Sequence, residues 1–149
     1  MVVIILKKMI VEKSKMIAEF MGWQYVPHNS LNGFPKAGWW QIMTHNGVPI
    51  QGNILSKHGG NYKDDNGYHY RFICRNHKDL RFYNSMDLLI TVLDKFNKCY
   101  GLTYVISPNI GTSIISKGSY SFSYKGEGMI KNTFEVCVKT IETICSKVK

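Results

Sequence analysis

The sequence predicts an α+β fold in which twisted antiparallel sheets pack against about three helices as one layered sandwich. Apolar residues recur at helical spacing over residues 12–21, 84–100 and 129–148. Short segments with alternating side chains, separated by turn residues such as Asn46-Gly47, lie between these helices. Because the strands cluster in groups instead of alternating singly with helices, the pattern favours antiparallel sheets over a parallel one.

The size and composition of the chain predict one domain over residues 1–149. A chain of 149 residues, 44% of them hydrophobic, is long enough for one core. No apolar run approaches the roughly 18 residues of a membrane span. The run at residues 2–6 precedes Lys7 and Lys8, whereas a secretory signal carries its positive charges in front. We therefore expect a cytoplasmic protein without membrane contact, with residues 1–8 as an edge strand or an extension before a second candidate start at Met9.

The first part of the chain is predicted to contain a helix followed by a hairpin. The helix covers residues 12–21 and stops at Gly22, a residue that favours helix ends. Residues 23–37 are predicted to be loop. The pair Asn46-Gly47 between the extended segments 38–43 and 48–51 predicts a tight β-hairpin.

The middle of the chain is predicted to contain a strand with two different faces. Turn residues at 58–61 and 64–67 precede this strand, which covers residues 68–75, and a further short strand is predicted at 80–83. Alternation along the strand separates two sets of side chains: Tyr68, Tyr70, Phe72 and Cys74 on one face, and His69, Arg71, Ile73 and Arg75 on the other.

The last part of the chain is predicted to contain two helices with strands between them. The first of these helices begins near Asn84 or Ser85 and ends at Gly101. Two or three strands are predicted, at 103–107, 112–116 and 120–125, with turns at 108–109 and 117–118. The final helix, 129–148, has the most regular apolar period, and we expect it to bury Phe134, Cys137, Val138, Ile141 and Ile144.

The cysteines predict no metal centre and no disulfide. They form no C-x-x-C pair, and their spacing matches no short-loop framework. Two of them lie eight residues apart on one helix face. We therefore expect buried free thiols in a reducing compartment. The four positions are Cys74, Cys99, Cys137 and Cys145.

Three helical segments carry a family resemblance. Residues 17–22 and 83–89, together with the apolar order of Ile130, Phe134 and Ile141, resemble helices of small uncharacterised accessory proteins of tailed phages and prophages in Bacteroides-type hosts. Those proteins often have tryptophan at the positions of Met86 and Leu88. The resemblance covers about a third of the chain and implies a phage accessory protein of an α-β-α sandwich type. It implies no catalytic residue.

The sequence contains no catalytic constellation, so we expect a protein that is not an enzyme and needs no cofactor. No two histidines have the i, i+4 spacing of a helical metal pair. His28-Asn29-Ser30 has the H-x-S form of one phosphoesterase class, but the second motif that such enzymes need is missing. No acidic residue lies between positions 20 and 63, which excludes paired-carboxylate chemistry there. The histidines are His28, His45, His58, His69 and His77.

A cluster of basic residues predicts an anion-binding site. The formal net charge of the chain is +9, which favours nucleotides, nucleic acids or acidic protein surfaces as partners, although such a charge also serves solubility alone. On a strand, Arg71 and Arg75 lie about 13 Å apart, a spacing that suits two successive phosphates. The predicted anion-binding residues are His69, Arg71, Arg75, Lys78 and Arg81.

Trp39 and Trp40 are predicted to provide an aromatic contact. Neighbouring strand residues face opposite ways, so one indole is expected in the core and the other at the surface, where it stacks a base or anchors a protein; the alternative is that a loop covers both. Together these features predict a phage accessory binding protein, acting in counter-defence by sequestering a nucleotide-like anion. The alternatives are a nucleic-acid-binding protein and an inhibitor that binds a host protein.

Overall fold

A computed structural model describes residues 2–28, 33–49, 61–107, 111–115, 121–123 and 128–147. The predicted turns at 108–109 and 117–118, most of the turn at 58–61, and His58 lie outside these residues. The elements confirm the α+β class with antiparallel sheets. They are α1 (Val2–Phe20), β1 (Gln24–Val26), β2 (Gly38–His45), β3 (Val48–Pro49), β4 (Asn61–Lys63), β5 (Tyr68–Cys74), α2 (Met86–Tyr100), β6 (Thr103–Ser107), β7 (Gly111–Ile115), β8 (Ser121–Ser123) and α3 (Met129–Lys147).

The chain divides into two compact units, which we call the N-terminal unit (Met1–Leu80) and the C-terminal unit (Arg81–Lys149). The N-terminal unit contains α1 and a five-stranded antiparallel sheet. The C-terminal unit contains α2, a three-stranded antiparallel sheet and α3. The assignment of residues 1–149 to one domain stays a prediction.

Helix α1 begins at Val2, so the predicted edge strand at residues 1–8 is wrong. The β-branched residues at the start favour a strand only weakly, by a few tenths of a kcal/mol each. Each residue that extends an existing helix adds a hydrogen bond without a new nucleation cost, so the helix of residues 12–20 continues backwards through them. At the other end Gly22 has φ 80°, and the Trp23 amide donates to the Ala18 carbonyl at 3.0 Å. This left-handed glycine ends the helix as predicted.

The sheet of the N-terminal unit has the strand order β1-β2-β5-β4, with β3 paired to β2. The predicted hairpin is confirmed: His45 pairs with Val48 across a two-residue turn. Asn46 and Gly47 both have positive φ angles, 52° and 82°, as a type I′ turn requires. Strand β1 forms inside the segment predicted to be loop, where it pairs with β2.

The pairing of β2 with β5 confirms the predicted faces of β5 from Tyr68 to Phe72. The prediction is wrong for Cys74, because a register shift places this residue opposite Trp39, whereas Phe72 lies opposite Trp40. Trp40 lies opposite Phe72, whereas Gln41 lies opposite Arg71. Directly opposite residues share a face, so the sheet has an aromatic face and a polar face. The aromatic face contains Val26, Phe34, Trp40, Ile42, Tyr62, Tyr68, Tyr70 and Phe72.

Both adjacent tryptophans are buried, so the expectation that one of them is exposed is wrong. Trp39 is 1% exposed and Trp40 is 0% exposed. The Trp40 Nε1 donates to the Lys36 carbonyl at 3.1 Å, and the Trp39 Nε1 donates to His77 Nδ1 at 3.0 Å. Strand β2 is an inner strand of the sheet, and the burial of both rings leaves neither indole available for stacking a ligand.

Residues 77–84 contain two 3-10 turns, His77–Asp79 at the end of the N-terminal unit and Phe82–Asn84 at the start of the C-terminal unit, and not the short strand predicted at residues 80–83. Leu80 and Phe82 are both buried. Two apolar residues separated by one position resemble a strand, but the same spacing also occurs in a segment that contains two short 3-10 turns.

Helices α2 and α3 confirm the periodic pattern of the C-terminal unit. Ser85 caps α2 by accepting the Leu88 amide at 3.4 Å, and Gly101 ends it with φ 67°. Of the five α3 side chains expected in the core, four are buried and Ile144 is half-buried. The apolar core residues of this unit include Phe82, Leu89, Val92, Leu93, Phe96, Phe134, Val136, Cys137, Val138 and Ile141.

All four cysteines are free thiols. Cys137 is buried and Cys74 is half-buried, but Cys99 and Cys145 are exposed, so the expectation of four buried thiols is wrong for these two. Cys145 lies near the end of α3, beyond the buried part of its apolar stripe. Burial raises the pKa of the Cys137 thiol, and burial, with a smaller effect of Asp79, raises the pKa of Cys74 to about 11.

Candidate anion-binding site

The polar face of the N-terminal sheet is the candidate site. Strand β5 contributes His69 and Arg71, and the register places Thr44 opposite His69 on one side and Lys63 opposite it on the other. Gln41 lies opposite Arg71. We call the set Gln41, Thr44, Lys63, His69 and Arg71 the polar face.

Arg71 is the centre of this face. Its Nη2 donates to Gln41 Oε1 at 3.1 Å, and its Nε is buried without a hydrogen-bond partner among the described residues. In that part of the chain no carboxylate lies within ion-pair distance of the guanidinium. Arginine has five donors, and a buried donor without an acceptor costs about 1–3 kcal/mol. The guanidinium is therefore held in place by a neutral group, and its charge is not cancelled there.

The acidic residues beside this face are engaged elsewhere. Asp64 Oδ1 accepts the backbone amides of Asn66 at 3.0 Å and Tyr68 at 2.9 Å, and the other oxygen accepts the Tyr70 hydroxyl at 3.3 Å. Burial and the negative charge of Asp64 raise the pKa of Tyr70 to about 12. Asp79 Oδ2 accepts from the Asn76 side chain at 3.3 Å. These contacts organise the turns before and after β5, and among the described residues neither carboxylate forms an ion pair with Arg71.

The structure brings together only some of the predicted site residues. His69 and Arg71 share the polar face, but β5 ends at Cys74, so Arg75 lies in the following turn and is exposed. Lys78 is exposed in the 3-10 turn His77–Asp79. Arg81 is exposed and is the first residue of the C-terminal unit.

Three residues of the polar face were missed by sequence reasoning, namely Gln41, Thr44 and Lys63. Gln41 and Thr44 belong to the strand that contains the two tryptophans, and both are buried although polar. The alternation of β2 identifies them as a set, but their position beside Arg71 depends on a pairing between residues thirty positions apart. A hairpin signal such as Asn46-Gly47 specifies the neighbour of β2 on one side only.

His77 has a structural role beside α1. Its Nδ1 accepts the Trp39 indole hydrogen, so the neutral ring carries its proton on Nε2. The centroids of the Tyr25 and His77 rings lie 4.3 Å apart. Burial, and to a lesser extent Lys15, lower the pKa of His77, while Glu12 and Glu19 oppose this shift. His77 is therefore neutral near neutral pH and adds no charge to the basic cluster.

Among the described residues no group of three or more His, Cys, Asp or Glu side chains is placed to hold a metal ion. In the same part of the chain no helix is long and apolar enough to span a membrane. Comparison with protein-family models, with curated proteins and with solved structures finds no match to the chain.

Proposed function

We propose that this chain is a phage-encoded accessory protein that sequesters a nucleotide-like anion on the polar face of its N-terminal sheet, without transforming it chemically. The observation that carries the proposal is that the Arg71 guanidinium has a neutral hydrogen-bond partner and no carboxylate partner among the described residues. A neutral acceptor, Gln41, orients the guanidinium, and no described carboxylate neutralises it. Such an arginine presents a planar fork of donors that matches a phosphate group.

The charge around Arg71 supports a phosphate-bearing ligand. Residues 1–80 contain ten lysines and arginines against five acidic residues. Lys63 and His69 form a second row beside Arg71, two positions along the strand and hence about 6.6 Å away. Two rows of donors at this spacing favour a ligand with two anionic groups over a single small anion. Arg75 and Lys78 extend the positive charge beyond the end of β5.

A titration by calorimetry with three probes tests the proposal: a nucleoside triphosphate, a dinucleotide and a short single-stranded oligonucleotide. The wild-type chain is expected to bind the triphosphate or the dinucleotide, with an affinity that falls as salt rises. Arg71→Ala together with Arg75→Ala should remove most of this binding. Each lost charge-assisted contact costs about 1.5–3 kcal/mol, or roughly a tenfold to hundredfold loss of affinity.

Lys139→Ala, on an exposed position of α3, is the matched control because it removes a charge in the C-terminal unit. Arg71→Lys retains the charge but loses the fork, and it should bind more weakly than the wild type. Equal affinity in the double variant and the control contradicts the proposal, as does a wild-type chain that binds none of the probes. Binding of the oligonucleotide alone assigns the face to nucleic acid instead.

A further inference from the structure

Helix α1 has a second apolar stripe besides its buried one. Its buried side contains Ser14, Ile17 and Ala18. On the other side Ile5 is 57% exposed and Met9 is 47% exposed. Met16 and Phe20 continue the line at spacings of seven and four residues, and both are half-buried. Apolar side chains aligned along one face of a helix and left in water mark an interaction surface.

A stripe of alternating charge runs beside this apolar stripe. It consists of Lys8, Glu12, Lys15 and Glu19, at steps of four, three and four residues, so all four lie on one flank of the helix. Lys8, Glu12 and Glu19 are exposed, and Lys15 is half-buried. The Lys15 Nζ lies 3.6 Å from Glu12 Oε1. Such an exposed pair contributes little energy and exchanges partners readily.

We propose that α1 pairs with α1 of a second copy of this chain, in an antiparallel arrangement about a two-fold axis. A two-fold axis perpendicular to the helices brings the same flank of both copies together in opposite directions. In this arrangement, each charged residue of the stripe faces a residue of opposite charge on the second copy. Lys8 faces Glu19 of the second copy, and Glu12 faces Lys15 of the second copy.

The apolar stripe matches in the same arrangement. The antiparallel arrangement places Ile5 against Phe20 of the second copy and Met9 against Met16 of the second copy. Each exposed apolar side chain therefore packs against a half-buried one. The centre of the apolar pairing falls within about one residue of the centre of the charge pairing, a shift of roughly 1.5 Å along the helix. In a parallel pair, the charged flanks of the two helices lie on opposite sides of the interface, so the two charge stripes do not face each other.

The alternation of positive and negative charges along the stripe favours a second copy of the chain over other binding partners. An anionic bilayer or an acidic peptide favours a helix with lysines alone on its polar flank, and is repelled by Glu12 and Glu19. Lys13, on the other flank, lies near Lys13 of the second copy close to the two-fold axis, and the repulsion between these two like charges weakens the pair. A single helix pair also buries less than the roughly 1,600 Å² of a standard interface, so the expected dimer is weak and reversible.

Sedimentation equilibrium of the full chain tests this inference, which is independent of the proposed function. The wild type should show a concentration-dependent monomer–dimer equilibrium. Glu12→Lys with Glu19→Lys produces an all-positive stripe, and Lys8→Glu with Lys15→Glu produces an all-negative one. Each double variant should raise the dissociation constant at least roughly tenfold. An equimolar mixture of the two should dimerise again, which also shows that both are folded.

The variant that combines all four substitutions reverses every charge, preserves the alternation and should dimerise like the wild type. Lys7→Glu, outside the stripe, is the control for a single charge change and should also behave like the wild type. A wild type that stays monomeric at every concentration overturns the inference. So do double variants that dimerise as well as the wild type, or a mixture that does not recover. A monomer that binds vesicles of phosphatidylserine and phosphatidylcholine overturns it too and assigns the stripe to a bilayer.

Discussion

The two faces of the N-terminal sheet arise from the same strands but have opposite chemistry. On the aromatic face, the centroid of the Phe34 ring lies 5.4 Å from that of Trp40 and 4.9 Å from that of Tyr70. All three side chains are buried. On the polar face, Arg71 is held by one neutral hydrogen bond and keeps its charge. Because successive side chains of a strand point to opposite sides, one short strand can supply both core and candidate site. Folding energy is therefore concentrated on the aromatic face, whereas the proposed binding site lies on the polar face.

The Trp40 indole and the Tyr70 hydroxyl of the aromatic face both have hydrogen-bond partners. The Trp40 indole reaches the Lys36 carbonyl, the Tyr70 hydroxyl reaches Asp64, and the Lys36 Nζ lies 3.8 Å from the centre of the Phe72 ring. Large aromatic side chains are buried here without stranding a donor, which is the condition for stability.

The largest effect that separates the two faces is expected from Trp40→Ala. Removal of this fully buried ring should lower the free energy of unfolding by about 3–5 kcal/mol, since it leaves a cavity among Phe34, Tyr62 and Phe72. Arg71→Ala, at the centre of the polar face, should change the free energy of unfolding much less. Urea denaturation followed by fluorescence and circular dichroism measures both. Equal losses in the two variants would contradict the division of roles between the faces.

A smaller effect is expected at Gly38, where the backbone of β2 lies close to β5. Gly38 has φ 137°, and a Cβ atom there would lie 2.5 Å from the Cys74 carbonyl oxygen and 2.7 Å from the Phe72 ring. Gly38→Ala should therefore cost roughly 3 kcal/mol of unfolding free energy through strain and displacement of β5.

Gly47→Ala is the matched control for Gly38→Ala, because Gly47 also has a positive φ, 82°, but has no atom within 4 Å of the added Cβ. Its cost should be only the conformational one, about 1 kcal/mol. Thermal or urea unfolding of the two variants under one condition compares them. If Gly38→Ala costs no more than Gly47→Ala, the close approach of the strands contributes nothing.

The smallest effect concerns pH and His77. Its pKa is lowered in the folded state, so the unfolded chain takes up the proton first as pH falls. The stability that His77 contributes is thus fully present above its ordinary pKa of 6.5 and is lost as pH falls from there towards the folded pKa. His77→Gln keeps an acceptor for Trp39 but does not titrate, so it should reduce the loss of unfolding free energy between about pH 7.5 and 5.5.

The exposed His28 provides the control for this measurement. His28→Gln is matched to His77→Gln because it makes the same substitution at an exposed histidine of the same unit. Lys15, Glu12 and Glu19 act on the pKa of His77 through their charges and are unchanged in both variants, so their own titration cancels in the comparison. A pH dependence identical in all three proteins would show that His77 does not sense pH through the Trp39 contact.

Several elements were predictable because their signals are local. The Asn46-Gly47 turn needs two positive φ angles, and this pair adopts them at low cost. The period of α3 and the cap and glycine of α2 similarly depend on residues within a few turns of one another. The alternation that separates Arg71 from Tyr70 is local as well. For these features, the sequence and the structure agree to within one or two residues.

Other features were decided by tertiary structure. The start of α1 at Val2, the burial of both Trp39 and Trp40, and the exposure of Cys99 depend on which surfaces the rest of the chain covers. Local periodicity predicts the direction of a side chain but not whether another element lies there.

By itself, then, the sequence determined the α+β class, the hairpin, two helices and the basic strand that contains His69 and Arg71. Only the tertiary structure decided that Gln41 orients Arg71 and that Lys63 forms a row with His69. The physical reason is that periodicity and turn conformation depend on neighbouring residues, whereas strand register joins segments far apart in the chain and is selected by the packing of a whole face.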